Sequence, residues 1–277
     1  MISLSIPDAW DRVDWSYKEQ FAPTLAGYAR AAVAMAAPPS DAHVLDVAAG
    51  PGTLALLVAP EVRRVSALDF SPGMIAQLRR EAVALGLGNV DAIVGDGQAL
   101  PYADATFDAA FSMFGLIFFP DRARGLRELL RVLRPGGRAV IGAWAPLDPG
   151  SPPVVLFELL RAALAEATPT FPALPLGTAE AMRDELAVAG FEDPRVAFAT
   201  HEFRADSVEQ FWEIQTRANA LMVAVRQDMP DDAWARLSDQ VLDGLRARLG
   251  DEEVRYPQTA VLGLGVRGST KASTETG

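Results

Sequence analysis

The sequence predicts a doubly wound α/β fold, in which helices cover both faces of a parallel sheet. Three observations carry that prediction. Short β-branched and apolar runs alternate with longer stretches of helical periodicity. The first such run feeds a glycine turn that opens a helix. The second and third runs lead into the acids Asp69 and Asp96, where open α/β sheets place ligands.

Residues 1–40 read as an N-terminal helical cap. The first strand is His43-Val44-Leu45-Asp46-Val47, and Ala48-Ala49-Gly50-Pro51-Gly52 turns it into a helix beginning at Thr53. A second strand, Val62 to Leu68, ends at Asp69; Ser71 and Pro72 then supply an N-cap and a first-turn proline for a helix whose apolar face is Met74, Ile75, Leu78, Ala82 and Leu85. The third strand, Val90 to Val94, ends at Gly95-Asp96, and the fourth runs from Phe107 to Ser112. Leu126, Leu129, Leu130 and Leu133 mark a helix stopped at Arg134-Pro135-Gly136-Gly137, before a fifth strand from Arg138 to Trp144.

After Trp144 a proline- and glycine-rich loop leaves the sheet. Helices are expected over about 154–167 and 178–189, a sixth strand near Arg195 to Phe203 and a last one from Gln258 to Arg267. Between those strands lie two amphipathic segments, the second faced by Trp234, Leu237, Val241, Leu245 and Leu249. The reading is one domain over 1–267. Residues 41–145 form the cofactor-binding core, 146–203 and 257–267 the rest of the core, 204–256 a helical lid, and 268–277 a disordered tail.

Composition narrows the function. The 277 residues are 50% hydrophobic, enough for one large core, and 36 acids against 25 bases give a net charge of -11. That sign opposes broad attraction to nucleic acid or anionic membrane surfaces. With no cysteine, disulfides, thiolate nucleophiles and Cys-ligated metals are excluded, and His43 and His201 are the only imidazoles, so no metal site is expected. The opening MISLSIPDAWDRVDW lacks the pattern of a secretion signal, and the most apolar stretch, FSMFGLIFFP, falls short of the ~20 residues of a membrane span. A cytoplasmic protein with a small-molecule partner, and room for a homodimer, is the expectation. The arginines at 122, 124, 127, 131 and 134 alternate with an apolar helix face and read as its solvated side.

The turn Asp46-x-Ala48-x-Gly50-x-Gly52 sits where a first strand meets its helix, and glycines there let a ligand approach the backbone. Alone it also fits a structural turn, and Gly50, Gly52 and Ala55 satisfy the dinucleotide form G-x-G-x-x-A. Asp69 strengthens the ligand reading, because an acid ending the second strand accepts both hydroxyls of a ribose. Asp96 adds a carboxylate on the same sheet edge, suited to an adenine amino group.

At this point the chain resembles the class I S-adenosylmethionine-dependent methyltransferases, in the branch of the ubiquinone and menaquinone biosynthesis enzymes. VLDVAAGPG, SALDFSPGMI, GDGQALPYADATFDAAFSMFGLIFFPD and ELLRVLRPGGRAVIGAW carry the resemblance, over residues 43–144. It implies a Rossmann-like seven-stranded sheet with an antiparallel last strand. It also implies S-adenosylmethionine as cofactor, with S-adenosylhomocysteine as product. Asp46, Ala48, Gly50 and Gly52 would line the methionine part, Asp69 the ribose, and Phe70 and Met74 the adenine. Asp96 would take the adenine amino group, flanked by Gly97 and Gln98, with Ser112, Met113 and Phe114 beside the cofactor. Ala48 departs from the family's usual glycine. The N-terminal segment with Trp10, Trp15 and Tyr17 often folds over the cofactor in such relatives, which makes Tyr17 a candidate contact.

Methyl transfer is an in-line displacement that needs positioning and exclusion of water more than any compulsory side chain. His201 is the candidate base; His43 starts the first strand, on the opposite sheet edge, and reads as structural. Phe118, Trp144 and Trp212 are candidates for an apolar acceptor pocket. The expected reaction is methylation at O, N or C of a small, fairly apolar, quinone-like metabolite. A nucleotide-dependent oxidoreductase and a non-catalytic, S-adenosylmethionine-binding regulatory protein are the alternatives.

Overall fold

The computed structural model describes residues 7–11, 14–164, 175–227 and 229–269; the side chains of 8, 9 and 14–23 are not described. Most of the tail expected to be disordered therefore lies outside the described residues. The strands are β1 (His43–Val47), β2 (Arg64–Asp69), β3 (Val90–Val94), β4 (Phe107–Met113), β5 (Leu133–Trp144), β6 (Glu192–Ala205) and β7 (Val254–Val266). They form one sheet in the order β3-β2-β1-β4-β5-β7-β6. Strands β1 to β5 run parallel, and β7 is antiparallel to both β5 and β6. Strand order reverses between β1 and β4, so the crevice at their carboxyl ends is the natural ligand position.

The helices are α1 (Pro7–Asp11), α2 (Asp14–Ala36), α3 (Thr53–Val58), α4 (Pro72–Ala84), α5 (Arg122–Val132), α6 (Pro152–Leu164), α7 (Ala179–Ala189), α8 (Val208–Ala218), α9 (Ala220–Gln227) and α10 (Asp231–Leu249). Alternation along the strands builds two cores. Val44 points into the layer under α2, α3 and α4, whereas Leu45 points into the layer under α5 and α7. Ser71 accepts the Met74 N–H at 3.0 Å and Thr178 the Ala181 N–H at 3.1 Å, so both predicted helix starts are capped.

Several features differ from the sequence reading, beginning with β2, which starts at Arg64 and not at Val62. β5 begins at Leu133, and its pairing with β4 shifts between Phe107 and Ala109, so the Arg134–Gly137 stretch bulges from the strand instead of preceding it. β6 and β7 stay paired from Glu192↔Val266 to Ala205↔Val254, well past the last β5 pair, Trp144↔Ala260. This two-stranded extension carries the insertion. The insertion holds three helices, not two: Asn219 leaves the helical conformation after α8, and its side chain accepts the Leu221 N–H at 3.1 Å to start α9. α6, α8 and α10 share a separate hydrophobic cluster with Phe203 and Tyr256 of the extension. Among the described residues no helix is long and apolar enough to cross a membrane.

Candidate functional site

The turn after β1 is held by hydrogen bonds that the sequence arranges locally. Asp46 ends up beneath the first turn of α3, where its carboxylate accepts the Ala55 N–H at 3.1 Å. Asp69, at the end of the neighbouring strand, accepts the Gly50 N–H at 2.8 Å and the Ser71 N–H at 2.9 Å. Thus one acid ties the glycine turn to the start of α4. Both acids are buried, 2% and 5% exposed. Burial pushes the Asp46 carboxyl up to about 8, with the Ala55 N–H opposing and the charge of Asp69 adding to the rise. Asp69 is raised to about 6 by burial; the Ser71 and Gly50 N–H groups oppose, and the charge of Asp11 adds.

Two non-glycine residues here adopt left-handed backbone. Ala48 has φ 56° and Phe114 has φ 63°, at the ends of β1 and β4. The two turns pack so closely that a Cβ on Gly115 would collide with the Ala48 Cβ. Ala48's dihedral is one that glycine adopts more readily than alanine. Strained backbone in adjoining turns over one crevice is what a preorganised binding site stores.

Asp46, Ala48, Gly50, Met113 and Phe114 line one small cavity of about 40 Å³, together with Leu25 and Ala29 of α2. Gly52, with φ 94°, is the N-cap of α3, and a Cβ added there would collide with Leu78 and crowd Leu56. Asp96 stands exposed beyond β3, where its carboxylate accepts the backbone N–H of Gln98 at 2.8 Å and its side-chain amide at 3.1 Å. Gly97 lies under the Phe119 ring. Phe70 is half-buried after β2, while Met74 is 2% exposed beneath Trp10. Tyr17 belongs to α2, but its side chain lies outside the described residues.

A ligand test comes from polar groups left over. Ser112 Oγ is buried and has no hydrogen-bond partner among the described residues. A Cβ added at Gly50 would meet nothing within 4 Å. These features, with the raised Asp46 carboxyl, fit a ligand that brings polar and cationic atoms to the turn.

The acceptor-side candidates fall into three groups. Trp144 stacks on Phe114, centroids 3.8 Å apart, and both meet Tyr28 edge to face. His201 sits against the same tyrosine, 4.6 Å between centroids, and lies flat over Gly27 of α2. Trp212 is stacked 5.6 Å from Trp234 inside the lid, and Phe118 meets Trp10 at 5.1 Å. Sequence reasoning passed over Tyr28, which is fully buried and donates its hydroxyl to the Gln258 carbonyl at 2.7 Å. Burial raises the phenol to about 12, so it stays protonated at neutral pH. Its one sequence signal is a single aromatic in the small-residue run AGYARAAVAMA, which lets a helix lie close to a sheet. His43, at the far edge of the sheet, meets Ser66 Oγ at 2.9 Å, a structural pairing. Arg122, Arg131 and Arg134 of the arginine stripe are paired with Glu185, Glu128 and Asp108.

Comparison with known proteins places this geometry. Residues 44–137 match the family described as a methyltransferase domain. A demethylmenaquinone methyltransferase of Thermus thermophilus is 42% identical over 125 residues, covering 44% of this chain and 56% of that protein. The chain thus spans about half the length of the curated relatives it matches. Among solved structures, the YcgJ protein of Bacillus subtilis has a TM-score of 0.59 at 19% identity, over 87% of this chain and 98% of its own. A Haemonchus contortus phosphoethanolamine N-methyltransferase, solved with phosphomonomethylethanolamine and S-adenosylhomocysteine, has a TM-score of 0.58 at 17% identity, over 97% of this chain and 61% of its own. The fold is the Rossmann-like one anticipated, and the stretch that carries the four motifs matches a methyltransferase domain and is similar to part of the demethylmenaquinone and ubiquinone/menaquinone methyltransferases.

Proposed function

We propose that the methyltransferase domain at residues 44–137 makes this chain an S-adenosylmethionine-dependent methyltransferase of a small, apolar, quinone-like acceptor. The observation that carries the reading is the convergence of Asp46, Asp69 and Asp96 on one sheet edge around a strained turn with an unpartnered Ser112 hydroxyl. Asp46, Ala48, Gly50 and Gly52 would hold the methionine part, Asp69 the ribose, and Asp96, Gly97, Gln98, Phe70 and Met74 the adenine. Ser112, Met113 and Phe114 lie beside them. The bound cofactor supplies an electrophilic methyl group on a sulfonium.

The chain's own residues orient and shield. Tyr28, Phe114 and Trp144 form an aromatic wall next to the cavity, suited to the flat face of an unsaturated ring. Leu25 and Ala29 of α2 line one side of that cavity with apolar surface and keep water from that side. His201, on the far side of Tyr28, is the base candidate: it reaches an acidic hydroxyl or carbon only if the acceptor seats beyond the tyrosine ring. The similarity to a demethylmenaquinone methyltransferase supports the quinone-like class. The acid excess supports a protein without a nucleic-acid partner, and Phe198, 59% exposed on the edge strand β6, offers an apolar surface for a homodimer.

Calorimetric titration tests the proposal. S-adenosylmethionine and S-adenosylhomocysteine should bind the wild type while NADH does not, and Asp69→Ala should weaken binding about a hundredfold, the loss of two charge-assisted hydrogen bonds. Binding of NADH alone, or an Asp69→Ala variant with wild-type affinity, refutes it.

A further inference from the structure

The sheet has a second edge, at the amino ends of its parallel strands, and a larger cavity opens there. Its volume is about 340 Å³, against about 40 Å³ beside Asp46. One wall is the end of α2 and the turn after it, Ala36 to Pro39. The other is the bulge at the start of β5, Arg134 to Arg138, and Asp108 and Ala109 of β4 complete the lining. The chain itself fixes both walls. Ala37, with φ 45°, turns the backbone out of α2. In the bulge Gly136 has φ 78°, and a Cβ on Gly137 would stand 2.8 Å from the Arg134 carbonyl oxygen. The strand after β7 pins the bulge from the far side: Gly136 donates its N–H to the Arg267 carbonyl at 2.7 Å, and the Gly137 carbonyl accepts the Arg267 N–H at 2.8 Å.

Three charged side chains line this cavity. Asp108 is matched on both oxygens, since Oδ1 accepts from Arg134 at 2.5 Å and Oδ2 accepts the His43 N–H at 2.7 Å. Arg138 is matched by no acid. It donates to the Ala36 carbonyl at 2.9 Å, which caps the end of α2, and it makes no ion pair among the described residues. Most of its N–H donors are therefore uncommitted. Two guanidinium groups against one carboxylate leave the lining with an excess of positive charge, in a chain whose net charge is -11. Every other side chain that lines the cavity belongs to alanine or proline.

We propose that this cavity binds a small organic anion, a single carboxylate carried on a flat apolar ring, at the sheet edge opposite the proposed cofactor site. The carboxylate pairs with Arg138, whose planar fork matches it. The ring lies against the alanine and proline wall, which keeps water from the pair and strengthens it. One negative charge balances the lining, whereas a phosphate monoester, nearly doubly charged, would place surplus negative charge beside Asp108. The inference does not depend on the methyltransferase reading.

Calorimetry of the full chain with naphthoate tests it, beside naphthamide, which keeps the ring without the charge, and inorganic phosphate, which keeps charge without the ring. Naphthoate should bind at least tenfold more tightly than either. Arg138→Met, which keeps the reach of the side chain, should weaken naphthoate about tenfold, the loss of one charge-assisted pair, and leave naphthamide unchanged. Asp108→Asn should act in the opposite direction and tighten naphthoate a few-fold, because the lining gains positive charge while the amide oxygen still accepts the His43 N–H. An Arg138 that only caps α2 would lower the urea midpoint of Arg138→Met and shift neither affinity. Equal affinity for naphthoate and naphthamide overturns the proposal, as does phosphate binding as tight as naphthoate, or a folded Arg138→Met variant with wild-type affinity for naphthoate. If Arg138→Met does not fold, Asp108→Asn decides alone: tighter binding upholds the site, and unchanged or weaker binding removes it.

Discussion

Asp46 is an acid kept out of water beside a turn shaped for a ligand, and its titration has two consequences of opposite use. Its carboxyl is raised from 3.8 to about 8, so between those values the folded chain holds a proton that the unfolded chain has given up. Stability therefore falls as pH rises from about 4 to about 8 through this residue, and Asp69, raised to about 6, adds to the fall over the lower part of the window. A cationic ligand group beside Asp46 favours the charged form, so binding expels a proton and tightens as pH rises toward 8. Calorimetry of S-adenosylhomocysteine at pH 6 and 8 should show tighter binding at pH 8, by no more than about tenfold per unit. Asp46→Asn should flatten that dependence; an unchanged slope would contradict it. Ala48 offers a second residue to question. Its φ of 56° suits glycine, so Ala48→Gly should alter stability by less than about 1 kcal/mol, whereas β-branched Ala48→Val should cost about 2 kcal/mol or more in urea denaturation. The three acids and the glycine turn stand out in the sequence because they lie at or just beyond the carboxyl ends of β1, β2 and β3, and position in a parallel sheet fixes which edge they reach. Tyr28 and Asp11 were not legible: one is an aromatic in an alanine-rich helix, the other a surface-type acid, and only packing gives either a partner.

The helices and strands nearest the site owe their placement to small residues. Gly115 lets the turns after β1 and β4 touch, and Gly27 lets α2 lie over His201. Gly115→Ala should cost about 1–3 kcal/mol through overpacking and reduce cofactor affinity along with stability. Equal affinity would show that the turn tolerates separation. The lid makes its own core, in which Trp212 is 6% exposed and stacked on Trp234. Trp212→Ala should destabilise the chain by about 3–5 kcal/mol in chemical denaturation; a change under 1 kcal/mol would mean that the tryptophan contributes surface rather than core. Periodicity revealed the core elements well, since β1 and β3 match their expected spans to the residue. It failed at Asn219, where one side chain ends a helix and restarts the next. It also fell short along β6 and β7, where exposed Glu202, Arg204 and Arg255 alternate with buried Phe203, Ala205, Val254 and Tyr256, a pattern of covered strand that the sequence reading passed over.

On the proposed reading, the molecule as a whole divides its chain between a segment that would hold the cofactor and segments that would enclose what reacts with it. The first is contiguous, residues 44–137, and its strands meet at the reversal between β1 and β4. The second is assembled from distant pieces: α1 and α2 at one end of the sequence, and β6, β7 and the three-helix insertion at the other. That asymmetry sets what a sequence can say of each: local motifs specify the first, and long-range packing specifies the second. The acid excess sharpens in the same way: three carboxylates gather at the sheet edge while the net charge of -11 is spread over the surface. A crystal structure with S-adenosylhomocysteine tests the central claim most directly. The account predicts ribose hydroxyls on Asp69, the adenine amino group at Asp96, and the sulfur facing Phe114 and Tyr28. Ligand bound elsewhere, or a saturated crystal with nothing at the carboxyl ends of β1, β2 and β3, would contradict it.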